Sequence, residues 1–219
     1  MTVFSHGQVN FTRGEELLQQ NQPAQAVVFL ENAVIDEPAN VKAFIYLGIV
    51  YEQLEKPDEA IAAYRRILPA AGNLSANVAN NLGNVYFQKG NNEMAEQFYT
   101  QAIESDAVYS RAYLGRANTR IRTGSLRNAA ADYEQYLTLD PLTVQRPRIE
   151  QLVALLRAEF AAEERRRLLA EEEERVRAAE RQRLLDEVSA SLHSAADAST
   201  GISSGAENVE GYENEFELE

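Results

Sequence analysis

One spacing governs this chain: a small residue followed twelve positions later by another, four times over. The pairs Gly14/Ala26, Gly48/Ala60, Gly83/Ala95 and Ala117/Ala129 all keep it, at steps of 34, 35 and 34 residues. The third copy, Ala76 to Tyr109, shows why the spacing matters. Apolar residues at 78, 82, 85 and 86 share one helical face, the period of a half-buried helix. Gly90-Asn91 then breaks the pattern, and glycine suits the left-handed conformation that ends a helix. Ala95 opens the same pattern again. Glycine inside a helix costs about 1 kcal/mol against alanine, so Gly83 needs a packing reason. Small residues at 83 and 95 let two helix backbones approach, and Tyr99, one turn on, fills the space behind. Leu30, Tyr64 and Tyr133 stand four residues after the second alanine of the other copies. A helix–turn–helix unit at a fixed period is the sequence sign of a solenoid.

The sequence here resembles the tetratricopeptide repeat family. The residues that carry the resemblance are these small/aromatic sets, with Leu47, Tyr51, Leu82, Tyr86 and Pro141, over about residues 7 to 143. The resemblance implies an all-α, right-handed superhelical solenoid of four helix–turn–helix repeats, about 7–40, 41–75, 76–109 and 110–143. Three departures stand out. Arg13, Arg116 and Arg120 occupy places usually apolar in the family, which points to faces that something else covers. There is no Trp at the usual aromatic position. Glu55-Lys56 stands where a glycine is common.

Local signals refine the repeats. Pro23 is placed to begin a second helix, and Pro57 does the same with Asp58 and Glu59 at its positive end. One extra residue falls near Pro69-Ala70-Ala71-Gly72-Asn73, which predicts a longer inter-repeat loop. Repeat two is the most apolar and is expected in the buried middle. After Pro141 and Pro147 a long helix begins at Arg148. Ile149, Leu152, Val153, Leu156 and Phe160 form a stripe able to cap the last repeat, whose face would otherwise be bare. Beyond Ala162 the helix turns to Glu and Arg, with Glu163–Arg167, Glu171–Arg175 and Glu173–Arg177 at i,i+4. Leu168, Leu169, Val176, Leu184, Leu185, Val188 and Leu192 are too irregular for sustained heptads. Residues 148–193 are therefore a solvated arm, or a coiled-coil seam to a partner or second copy. Residues 194–219 are small, polar and acidic, a composition expected to be disordered. Their end, GYENEFELE, interleaves apolar and acidic residues as a short docking motif or a solubilising tail.

Charge and composition exclude whole classes of function. The net charge is −13 over 219 residues, and 194–219 hold seven acids and no Lys or Arg. Non-specific binding to nucleic acid or an anionic membrane is disfavoured. Cysteine is absent, which removes disulfides and thiolate metal sites. The N-terminus has no apolar signal core, and no apolar run approaches a membrane span. A cytoplasmic location is expected, with a removed export signal replaced by Met1 as the alternative. His6 and His193 lie outside the repeats, and no nucleophile motif, phosphate loop or HExxH is present. No catalytic residue, cofactor or metal is expected, and the chain reads as a non-enzyme.

The first helices of such a solenoid line its concave face. Asn77, Asn80, Asn81 and Asn84 sit at i, i+3, i+4 and i+7 of the third one. Asn is a poor helix former, so this amide row needs a reason. An amide both donates and accepts, which suits an extended peptide backbone. Arg111, Asn118 and Arg122 join from repeat four, and Lys42 and Tyr46 from repeat two. The resemblance implies peptide binding at these residues, so the expected function is a scaffold or adaptor holding a partner's extended peptide. The carboxylate clamp of chaperone-binding relatives is only partly matched, since repeat one offers Phe11, Thr12 and Glu15. Chaperone C-termini are therefore not expected as ligands. Arg111 and Arg122 point to an acidic or C-terminal peptide, the chain's own tail being one candidate. The alternatives are an assembly protein that oligomerises through 148–193 with the repeats as spacer, or a subunit of a transport or enzyme complex.

Overall fold

The computed structural model describes residues 5–206, with side chains to 197. The docking-motif expectation for GYENEFELE lies outside the described residues. Helices follow one another throughout: α1 His6–Gln19, α2 Pro23–Asp36, α3 Val41–Gln53, α4 Pro57–Ile67, α5 Ser75–Gln88, α6 Asn92–Ser105, α7 Ser110–Thr123, α8 Leu126–Leu139 and α9 Arg146–Ala206. Consecutive helices pack antiparallel in pairs, α1 on α2 through α7 on α8, and each pair packs on the next. This is the all-α solenoid expected from the period.

The turn inside each pair is built the same way four times. Asn21, Glu55, Gly90 and Gly124 take positive φ, between 56° and 78°. The next amide reaches back five residues in each case: Gln22 to Leu17, Lys56 to Tyr51, Asn91 to Tyr86 and Ser125 to Arg120, at 2.8–2.9 Å. A left-handed residue followed by such a bond satisfies the last carbonyls of a helix. Glycine adopts that conformation freely. Glu55 carries it with a side chain, so the absent glycine noted in the sequence is a strained turn rather than a different one. Pro23 and Pro57 open α2 and α4, and Asn91 caps α6 by accepting from the Met94 amide at 3.1 Å. The extra residue of repeat two is taken up by two 3₁₀ turns, Leu68–Ala70 and Gly72–Leu74.

The recurring small residues do what their spacing implies. A Cβ added at Gly14 would stand 2.6 Å from Leu30 Cγ, and one at Gly83 would stand 2.7 Å from Tyr99 Cδ1. One added at Gly48 would collide with the Tyr64 ring. Gly115 of α7 also lies against the Tyr99 ring, which therefore meets glycines on two helices. Tyr64 and Tyr99 are buried, and a core of Leu17, Leu30, Val50, Val78, Leu82 and Val85 runs beside them.

The arginines at family-apolar places behave differently from the expectation. Arg116 grips Asp132 with two bonds of 2.9 and 2.8 Å, and Arg120 bonds Asp132 at 2.8 Å and Glu96 at 2.7 Å. Asp132 is 4% exposed. The two guanidiniums therefore do not await an outside cover; they stitch α6, α7 and α8 together. Arg13 makes only a surface pair with Glu16.

The chain divides into two compact units, Met1–Ala158 and Glu159–Glu219. In the first, Ile149 and Val153 of α9 are buried against Ala117, Ala129, Tyr133, Tyr136 and Leu137, with Leu152 beside them. This covers the last repeat. In the second, the described residues are helical to Ala206, well past the boundary expected at 194. Small polar composition alone does not forbid a helix; proline would, and 194–206 has none. Leu168, Leu169, Val176, Leu184, Leu185, Val188 and Leu192 of this unit are all 46% exposed or more. Arg177 pairs with Glu173 at 3.5 Å as spaced, whereas Arg175 takes Glu172 at 2.7 Å. Among the described residues no helix is long and apolar enough to cross a membrane.

Candidate functional site

A cleft of about 610 Å³ opens along the first helices of the repeats, lined from α3 through α5 to α7 and the loop before α9. Of the residues picked from the sequence, Asn80, Asn81, Asn84, Arg111 and Asn118 line it. Asn77, Lys42, Tyr46 and Arg122 are not in its lining.

The amide row is not one uniform stripe. Asn84 Oδ1 accepts from the Tyr99 hydroxyl at 2.8 Å, and Asn118 Oδ1 accepts from the Tyr133 hydroxyl at 2.7 Å. The two positions are equivalent in the repeat, and so are the tyrosines. In each pair the amide accepts through its oxygen and turns its NH₂ away from the tyrosine. Its NH₂ hydrogens have no partner among the described residues. Asn81 contacts the Tyr64 hydroxyl and Asn77. Asn77 donates to the Tyr109 hydroxyl at 3.3 Å, which ties it to the residue leading into α7. Asn80 is 4% exposed, and its Oδ1 has no partner among the described residues. Buried polar atoms are nearly always paired, so an orphaned one asks for a reason.

The cations separate in the same way. Arg122 donates to the Phe87 carbonyl at 2.9 Å and lies over the Phe87 ring, 4.4 Å from its centre. Its guanidinium is therefore committed within the protein. Arg111 is exposed and has no partner among the described residues. Lys42 is exposed on α3, and the Tyr46 hydroxyl donates to Glu15 at 2.9 Å, with its ring edge-on to Phe11. Tyr46 thus joins repeats one and two.

Sequence reasoning missed Glu52, Gln88, Asp140 and Gln145, which also line the cleft. Glu52 had a signal. Its register position holds Leu18, Phe87 and Ile121 in the other copies, so a carboxylate there breaks the pattern. The Tyr64 hydroxyl donates to it at 2.6 Å. Burial raises its pKa above the usual carboxylate range, partly offset by that hydrogen bond. Burial, with the Glu52 charge beside it, pushes the Tyr64 phenol far above its usual value. No group of His, Cys, Asp and Glu among the described residues is placed to hold a metal.

Models described as tetratricopeptide repeat match residues 11–75, 76–106 and 110–141. Among solved structures, the chain is similar to MamA, at 21% identity over 68% of this chain and 84% of that one, with a TM-score of 0.60. It is similar to pilF of Pseudomonas aeruginosa, at 23% identity over 72% and 70%, with a TM-score of 0.61. It is also similar to the first TPR of Spaghetti (RPAP3) bound to the HSP90 peptide SRMEEVD, at 24% identity over 55% and 95%, with a TM-score of 0.50. These likenesses are likenesses of fold. No curated protein sequence matches the chain.

Proposed function

The chain belongs to the tetratricopeptide repeat family, and from that premise we propose that it is a non-enzymatic interaction scaffold whose cleft holds an extended peptide of a partner protein. The observation that carries this reading is the pair Asn84 and Asn118. In each, a repeat tyrosine takes the amide oxygen and leaves the NH₂ for a ligand. Two amides in equivalent places on α5 and α7 suit successive carbonyl groups of an extended backbone, whatever its side chains. Arg111 adds an unpartnered guanidinium for a peptide carboxylate, side-chain or C-terminal. The peptide held by Spaghetti is consistent with the fold's capacity for this mode.

The test is capture from native lysate by full-length protein, with an Arg111→Ala/Gln88→Arg variant beside it. Gln88 is exposed in the lining, so arginine there obstructs the cleft without touching the core. Partners lost with an unchanged circular dichroism spectrum support the cleft. Partners retained move the site elsewhere.

A second reading is favoured by the exposed leucines and valines of the second unit. A helix with Leu184, Leu185 and Val188 open to water gains by pairing with another helix. In this reading the arm oligomerises. Light scattering of full-length protein against Leu184→Glu/Leu185→Glu/Val188→Glu checks it, and equal monomer masses remove it.

A further inference from the structure

The cleft is not simply basic. Its lining carries two carboxylates, Glu52 and Asp140, against the single guanidinium of Arg111. Arg122, the second cation expected there, is held by Phe87. Of the two cations expected to meet an acidic or C-terminal peptide, Arg111 alone lines the cleft, and carboxylates outnumber it there.

Glu52 is the residue that needs explaining. It sits at a position filled by Leu, Phe and Ile in the other three copies. It is partly buried, and no cation pairs with it among the described residues; its one partner is the Tyr64 hydroxyl. A half-buried carboxylate without a counter-charge is unfavourable, and the neighbouring copies show that the fold itself accepts an apolar side chain here. The raised pKa reflects the same burial. A half-buried carboxylate with no counter-charge, in a cleft with room for a side chain, lacks a group that brings positive charge.

Building on the peptide reading above, we infer that Glu52 is the specificity element of the cleft and takes the cationic side chain of a lysine or arginine in the bound peptide. The ligand is then a segment with one basic residue seated toward α3 and Glu52. Its backbone lies along the α5 amides, and a carboxylate, where present, meets Arg111 on α7. A guanidinium or ammonium supplies several N–H donors together with the charge that the Glu52 carboxylate lacks.

The test selects peptides from a random display library on full-length wild type, on Glu52→Gln and on Gln88→Arg. Glutamine keeps the acceptor for Tyr64 and the side-chain shape. Expected is enrichment of Lys and Arg among wild-type binders relative to the unselected library, and its loss on Glu52→Gln. The best wild-type peptide is then remade with norleucine for its basic residue. It should bind wild type about tenfold more weakly, as close charge pairs at interfaces do. That last comparison uses only the natural protein, so it stands even if Glu52→Gln misfolds. Binders with no basic enrichment, or a norleucine peptide of equal affinity, overturn the role of Glu52 and leave the cleft standing. Failure of wild type to enrich any peptide, or binders indifferent to Gln88→Arg, overturns the cleft itself.

Discussion

Replacing Asp132 by alanine removes the centre of a buried charge network and leaves two guanidiniums behind. Three bonds of 2.8–2.9 Å are lost, two from Arg116 and one from Arg120. The side chains of Arg116 and Arg120 are 14% and 17% exposed, so water reaches them poorly. Breaking a buried pair by deleting one partner costs about 3–5 kcal/mol. Arg120 keeps Glu96 at 2.7 Å and Arg116 keeps Thr100 at 3.1 Å, which places the loss at the lower end, about 3 kcal/mol. The assay is urea unfolding followed by circular dichroism. Because α6, α7 and α8 share the network, the last repeat should melt first, with a smaller slope for the main transition. The triple variant Arg116→Met/Arg120→Leu/Asp132→Leu is the control. Well-packed apolar replacements of a buried ion network are often neutral or stabilising, so it should recover most of the loss. An Asp132→Ala midpoint equal to wild type refutes the reasoning. So does a triple variant as unstable as the single one, since the arginines would then not be internal ties.

Three further predictions concern other links in the argument. Glu55→Gly relieves a left-handed non-glycine turn and should stabilise the protein by roughly 0.5–1 kcal/mol in the same urea assay. Gly83→Leu should destabilise by about 1–3 kcal/mol, because even a Cβ there would stand 2.7 Å from the buried Tyr99 ring; an unchanged melting temperature would show the contact to be misplaced. Burial raises the folded pKa of Glu52 above its unfolded value. Stability tied to its protonated form is then full below the ordinary carboxylate range and lost as pH rises through the raised value. Glu52→Gln should therefore match wild type below about pH 4 and exceed it at neutral pH, and parallel stability curves across that window would contradict the burial argument.

The repeat was readable because its physics is periodic. Gly14, Gly48 and Gly83, with their partners Leu30, Tyr64 and Tyr99, meet at a fixed sequence distance, so one contact understood is the others located. Gly90 and the glycine-free turn at Glu55 followed for the same reason: the backbone requirement recurs whether or not the residue suits it. The charge network did not show in the sequence because the set Arg116, Arg120, Asp132 and Glu96 occurs once: the places of Arg116, Arg120 and Asp132 hold Leu82, Tyr86 and Phe98 in the third copy, so no other copy reveals the pairing. Without their partners, the arginines read as faces that something else covers. Asn84 and Asn118 were singled out for their amides, but the tyrosines that orient them depend on side-chain length and direction. Glu52 was overlooked because a lone acid near a helix end usually means solvent. Only its burial beside Tyr64, together with a comparison across the four copies, sets it apart.

Site-specific photo-crosslinking in the protein's native cells tests the central claim most directly. A photoreactive phenylalanine analogue replaces Gln88 in the cleft, or Gln97 on α6 outside its lining; both side chains are exposed, so neither substitution disturbs the core. The account predicts a defined partner adduct from position 88, mapped by mass spectrometry to a short extended segment, and none of that species from position 97. The same adduct from position 97 with nothing from position 88 would contradict it, and the amides of α5 would then be a solvated helix face.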